Sequence, residues 1–181
     1  MCKVENPFQK FPKIPRLKRG CIITEKIDGT NAQIYFPDEY DVERKMYVGS
    51  RKRLITPKDD NFGFARWAYE NEEQLFSELG YGRHYGEWWG LGIQRRYGLD
   101  HKRFSIFNTS RFDEEELRLI HVVPVMFNGD FSSTAVAIAM NLLQANGSKA
   151  APGFMDPEGV VIYMPQARSL FKQTFDDTAK G

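Results

Sequence analysis

Apolar and polar positions alternate in several short windows of the chain, and the period changes wherever turn residues fall. Cys21 to Lys26 opens on an apolar run, and Ala32, Ile34 and Phe36 alternate with Gln33 and Tyr35. A period of two places one set of side chains on one face of a strand. With Asp28-Gly29 between them, these two segments are predicted to form a hairpin. Lys45 to Arg51 predicts a third strand. Phe64, Trp67, Asn71, Leu75 and Leu79 then keep helical spacing, so one helix is expected from a cap at Asp60 or Asn61 as far as Gly80.

His84 to Trp89 and Arg103 to Asn108 read as strands joined by a glycine-rich, basic connection. A short acidic helix near Asp113 to Leu119 and a strand from His121 to Phe127 are expected next. The run AVAIAMNLLQ predicts a helix that starts at Ser132 or Ser133 and stops at Asn146-Gly147. Gly159 to Met164 and Ser169 to Phe175 form a closing strand pair. Strands and helices do not alternate regularly, which indicates the α+β class with mainly antiparallel sheets.

A chain of 181 residues supports one domain with a real core. Pro7, Pro12, Pro15 and Gly20 make residues 1–20 an extended basic arm, and residues 21–181 are expected to be the single domain. The aromatic share, 14%, excludes a disordered chain. Net charge is only +1, but Lys10, Lys13, Arg16, Lys18 and Arg19 crowd into the arm without an acid among them. Arg51-Lys52-Arg53, Arg95-Arg96 and Lys102-Arg103 add further clusters, which read either as solvated faces or as a surface for a polyanion. Cys2 and Cys21 make no disulfide framework and show no metal-ligand spacing. No signal peptide and no apolar run of ~20 residues is present, so a soluble, cytoplasmic monomer without a membrane partner is expected.

The stretch TEKIDGTN, Thr24 to Asn31, carries the candidate chemistry. A lysine amine is a nucleophile only when neutral, and at neutral pH a free one is almost wholly charged. Its surroundings must therefore disfavour the charge through burial, a second cation or a metal. Asp28 acts in the opposite sense, and the string alone reads more readily as a solvated lysine beside an Asp-Gly turn.

Other short strings follow in order: VGSR at Val48 to Arg51, YGEWWG at Tyr85 to Gly90, FSIF at Phe104 to Phe107, EGVVIY at Glu158 to Tyr163 and LFK at Leu170 to Lys172. Together with Glu25 to Asn31 they resemble the motif set of the covalent nucleotidyltransferases, the superfamily of ATP-dependent polynucleotide ligases and mRNA capping enzymes. The form around Lys26 most resembles the RNA ligase branch that seals nicks in duplex RNA. The resemblance implies a nucleotidyltransferase core, ATP-grasp-like, with mainly antiparallel sheets flanked by helices. It also implies ATP, Mg2+ or Mn2+, and RNA, with DNA as the other candidate, bearing 5′-phosphate and 3′-hydroxyl ends.

In that resemblance Lys26 is the nucleophile that attacks the α-phosphate and holds AMP. Glu25 contacts the adenine through its carboxylate or its backbone, and Ile27 belongs to the same nucleotide-binding set. Asp28 and Asn31 touch the pyrophosphate, the ribose or the attacked strand. Arg51 binds the nucleotide or the nucleic-acid end, since a guanidinium fork suits phosphate. Glu87 holds the ribose hydroxyls, Phe107 stacks on the base, Glu158 places the metal, and Lys172 neutralises the α-phosphate. Trp88 and Trp89 read as core and receive no role.

Two departures from the family pattern matter. A second lysine near Lys172 is missing, for which Arg168 is the candidate substitute, and Asn108 follows Phe107 where relatives often have aspartate. Little chain follows Lys172, so the expectation is a catalytic core without an appended OB-fold or helical domain, a form that would suit a phage. Lys13, Arg16, Lys18, Arg19, Arg51, Arg53 and the loop Gln94 to Lys102 are then the candidates for gripping nucleic acid. A DNA ligase core, an mRNA guanylyltransferase and a non-catalytic nucleic-acid-binding module of the same fold are the alternatives. GTP labelling of Lys26 would favour capping; a binding module would have lost motif residues, yet Lys26, Glu87, Glu158 and Lys172 are all present.

Overall fold

The computed structural model describes residues 11, 13–14, 20–37, 45–112 and 114–178. Arg16, Lys18 and Arg19 lie outside them, and Lys13 is exposed.

Among the described residues, nine strands form two sheets. β1 (Gly20–Lys26), β7 (Val125–Asp130), β8 (Gly159–Met164) and β9 (Ser169–Thr174) make the first, in the order β7-β1-β8-β9 and antiparallel throughout. The second joins β2 (Thr30–Phe36), β3 (Tyr47–Ser50), β4 (Gly82–Gly90), β5 (Lys102–Ile106) and β6 (His121–Val122) in the order β3-β2-β4-β5-β6, with one parallel pair, β5 and β6. Helix α3 (Ser133–Asn146) packs Val136, Ala139, Met140 and Leu143 onto Ile23, Val160 and Ile162 of the first sheet. Helices α1 (Phe64–Glu70) and α2 (Glu72–Leu79) cover one face of the second, where Phe64, Ala68 and Leu75 meet Ile34, Phe36, Val48 and Trp88. A short helix, α4 (Phe175–Thr178), follows β9.

The expected hairpin does not form. β1 and β2 belong to different sheets, and Ile27 to Gly29 is the crossing between them. A Cβ on Gly29 would stand 2.5 Å from the Trp88 carbonyl oxygen and 2.7 Å from Trp89 Cβ, so only glycine lets the chain pass this close to β4. The predicted strand from His121 to Phe127 is likewise split: β6 pairs with β5, the chain crosses at Val123-Pro124, and β7 pairs with β1. Pro124 has no N–H to give a ladder, while its carbonyl accepts from Glu25 N at 2.9 Å. Ile27 and Val123, one from each crossing, share a buried cluster with Trp89, Tyr97 and Ala151.

The single helix expected from Asp60 to Leu79 is two helices. The N-cap of α1 is Gly63 and not Asp60 or Asn61, but the Asp60 carboxylate still serves the first turn, accepting from Ala65 N at 2.8 Å and Arg66 N at 3.1 Å. Asn71 ends α1 because its side chain donates back to the Trp67 carbonyl at 2.7 Å, and its own carbonyl then accepts from Leu75 N to open α2. Near 113–119 the described residues form turns instead of an acidic helix. The N–H groups of Leu119 and Ile120 are taken by the Glu78 carboxylate at 3.0 and 3.3 Å, so they do not serve a local helix. α3 starts and stops as expected: Ser132 Oγ accepts from Ala135 N, and Gly147 closes the last turn with φ 76°.

Candidate active site

The two sheets face one another across a cleft of about 840 Å3. Lys26 is the last residue of β1, where it pairs in register with Gly159, and Glu158 directly precedes that partner. The register therefore delivers Glu158 to Lys26, with Nζ to Oε2 at 2.6 Å. Both side chains are partly buried, 25% and 15% exposed. Lys172 of β9 pairs with Val161 and reaches the same cleft, as do Arg51, Asn31, Glu87 and Phe107.

Glu87 is anchored where β2 leaves the crossing. Its carboxylate accepts from Gly29 N at 3.1 Å and from Asn31 Nδ2 at 3.3 Å. Burial pushes the Glu87 carboxyl up to about 7; Lys26 and the Gly29 N–H oppose the rise, and Glu158 and Asp28 add to it. Phe107 stands just beyond β5, donates its N–H to the Tyr85 carbonyl at 2.9 Å, and leaves its ring 42% exposed toward the cleft.

Several expected site residues are committed elsewhere. The Glu25 carboxylate points into the protein, 1% exposed, and accepts from Ser148 Oγ at 2.5 Å, Lys149 N at 2.8 Å and Ala150 N at 2.9 Å. Alternation along β1 turns its carboxylate toward the buried face, while Glu25 still belongs to the lining of the cleft, and burial raises its pKa. Asp28 gives its N–H to Tyr97 Oη at 2.8 Å, and its carboxylate pairs with Arg95 Nε at 3.2 Å. Arg53 is held by the Asp59 carboxylate. Arg168 sits in the β8–β9 turn, four residues up the strand from Lys172 and so about 13 Å away, and does not line the cleft. It does not replace the missing lysine. Asn108 does line the cleft and braces the following turn by accepting from Ser110 Oγ at 2.9 Å.

Arg95 is the residue whose role the sequence left hidden. It pairs with Asp28, with Asp156 at 2.8 Å and with Asp176 at 3.1 Å, tying the crossing, the approach to Glu158 and α4 to one guanidinium. The Arg95-Arg96 cluster had pointed to a polyanion surface, but three carboxylates already occupy Arg95. The loop from Gln94 to Lys102 is thus fastened at the base of the site through Arg95 and Tyr97. Trp88 and Trp89 are core, 2% and 1% exposed.

Among the described residues no three His, Cys, Asp or Glu side chains gather as a metal cluster. The oxygen donors beside Lys26 are Glu158 and Glu87, close enough to raise the charging cost of Glu87. That set fits magnesium or manganese, which binds through one or two carboxylates, water and substrate phosphates.

A strand-end lysine paired to a carboxylate, in a cleft between two antiparallel sheets that also holds a buried acid, an exposed aromatic and several cations, defines a nucleotidyltransferase-like core. A family model described as RNA ligase matches residues 19–180, and the chain belongs to that family. No curated protein matches it significantly. Among solved structures it is similar in fold to the RNA ligase of Naegleria gruberi. A lysine-to-alanine variant with ATP and Mn matches with a TM-score of 0.60 at 17% identity, covering 90% of this chain and 51% of that one. The same ligase with PPi, and a lysine-to-methionine variant with AMP and Mn, each match with a TM-score of 0.58 at 18% identity and the same coverage. The chain spans about half the length of these structures.

Proposed function

We propose that the chain is the adenylylating core of an ATP-dependent RNA ligase, acting through a lysyl-AMP intermediate on Lys26. The observation that carries this reading is the 2.6 Å contact between Lys26 Nζ and Glu158 Oε2 beside a cleft lined by Arg51, Glu87, Phe107 and Lys172. Family membership and the ATP, AMP, PPi and Mn named with the Naegleria structures support it.

Lys26 Nζ gives up a proton, for which Glu158 Oε2 is the nearest acceptor, and attacks the α-phosphorus of ATP. The new N–P bond forms as the bond from the α-phosphorus to the bridging oxygen breaks, and pyrophosphate leaves. Lys172 and Arg51 offer positive charge to the phosphate oxygens as charge builds on them. Glu87, fixed by Gly29 and Asn31, accepts from the ribose hydroxyls, and Phe107 lies against the base. Glu158 with Glu87 would hold a divalent cation, which would supply further neutralisation of the phosphates.

An oxygen of the RNA 5′-phosphate then displaces Lys26 from the α-phosphorus, breaking the N–P bond. A 3′-hydroxyl attacks the activated 5′-phosphate and AMP departs with the pyrophosphate-bridge electrons. Incubating the protein with 5′-phosphorylated RNA, ATP and magnesium tests this. Sealed RNA from wild type and none from Lys26→Ala is expected. An adenylylated protein that seals DNA and leaves RNA unjoined would overturn the RNA assignment.

A further inference from the structure

One face of the second sheet is buried under α1 and α2; the opposite face is open and carries aromatic rings. Strand register arranges its side chains in rows. Tyr47, Tyr35 and Arg83 stand directly across from one another on β3, β2 and β4. Gly49, Gln33 and Tyr85 form the next row, and Asn31 and Glu87 the row after that, at the site. Tyr35 and Tyr47 stack with centroids 6.0 Å apart and planes 30° apart, and the Arg83 guanidinium lies 4.2 Å over the Tyr35 ring. Arg83 also donates to Gln33 Oε1 at 2.8 Å, and Gln33 lies flat across Gly49, where a Cβ would meet it at 2.9 Å. Tyr35 is thus flanked by Tyr47 and covered by Arg83, and it backs the guanidinium. Tyr47 is 37% and Tyr85 54% exposed.

This face continues into the cleft, because Arg83 and Tyr85 line both and Phe107 hangs from the Tyr85 carbonyl. Four residues along β2 separate the Tyr35 row from the Glu87 row, a run of ~14 Å. Among the described residues neither Arg51 nor Arg83 meets a carboxylate, and the only acid in the three rows is Glu87. Two exposed rings, Tyr47 and Tyr85, beside a guanidinium backed by Tyr35 suit unpaired nucleotides, whose π-faces stack without regard to sequence. A duplex hides those faces.

We infer that the Tyr47–Tyr35–Arg83–Tyr85 face is a stacking platform for the unpaired nucleotides of an RNA strand that leads from the Lys26 cleft. This rests on the ligase reading for the nature of the strand and adds where it lies and that it is single-stranded beside the joint.

The test is fluorescence anisotropy with a labelled, 5′-phosphorylated single-stranded RNA and with the same sequence as a duplex. Wild type is expected to bind the single strand more tightly than the duplex. Replacing Tyr35 and Tyr47 together by Leu should weaken single-strand binding about 5- to 150-fold, while Phe at both positions keeps it and the salt slope stays unchanged. Tyr47→Leu alone alters an exposed ring and should show part of the loss. Adenylylation of Lys26, followed by intact mass, is expected to be unchanged in all three. A wild type that prefers the duplex, or leucine variants that remain adenylylated and bind single strands normally, would overturn the platform while leaving the ligase reading intact. A wild type that is never adenylylated sinks the ligase reading, and the single-strand preference still decides the platform.

Discussion

Glu158 Oε2 lies 2.6 Å from Lys26 Nζ although 132 residues separate the two in sequence. The antiparallel register of β1 and β8 creates the contact, since Lys26 pairs with the glycine that follows Glu158. A backbone pairing thus sets the geometry of the nucleophile, and Arg95 braces both approaches to it through Asp28 and Asp156.

If Glu158 takes the proton from Lys26, Glu158→Gln keeps the shape of the site and removes the acceptor. Single-turnover adenylylation should slow by about 10²- to 10⁴-fold. Lys172→Ala, which removes positive charge from the same cleft, should slow it by about 10²- to 10³-fold. Equal rates for Glu158→Gln and wild type would dismiss the proton-acceptor role.

Glu87 has a pH signature. Its folded carboxyl titrates at about 7, above the usual value of 4.5, so the folded state binds this proton more tightly than the unfolded chain. Stability linked to Glu87 is therefore complete below pH ~4.5 and falls as pH rises to ~7, by an amount on the order of 3 kcal/mol. Glu87→Gln should flatten urea-unfolding stability across that window. Nucleotide binding runs the opposite way, because ribose hydroxyls want the ionised acceptor: KM for ATP should drop as pH rises through ~7, and the variant should lose that dependence.

Glu25 separates a structural from a base-reading role. Glu25→Gln can turn its carbonyl oxygen to the N–H groups of Lys149 and Ala150 and donate its amide to Ser148 Oγ, so the turn is kept. ATP affinity should stay within about twofold, whereas Glu25→Ala should lower stability by about 1–3 kcal/mol through the unpaired donors it leaves. Loss of ATP binding in Glu25→Gln with normal stability would restore a base contact.

The strands, α3 and its caps were legible because they depend on local period and on single capping residues such as Ser132 and Gly147. The sheet assignment of β1 and β2 was not. Asp28-Gly29 has the composition of a hairpin turn, and only the distant approach of Trp88 and Trp89 to Gly29 shows that it crosses between sheets. The helix break at Asn71 was hidden for a similar reason, since the residue fits helical spacing while its amide bonds backward. Of the site, Lys26, Glu87, Phe107, Glu158 and Lys172 were named from motif order and do converge on one region. Glu25 and Arg95 were not readable: strand alternation, and three acids from separate segments, decide what each contacts.

Intact mass spectrometry of the protein after incubation with ATP and magnesium, beside Lys26→Ala, tests the central claim most directly. Wild type carrying one added AMP and a variant carrying none is the predicted result. An unmodified wild type, shown to be free of AMP beforehand, or an AMP adduct that persists in Lys26→Ala, would contradict it.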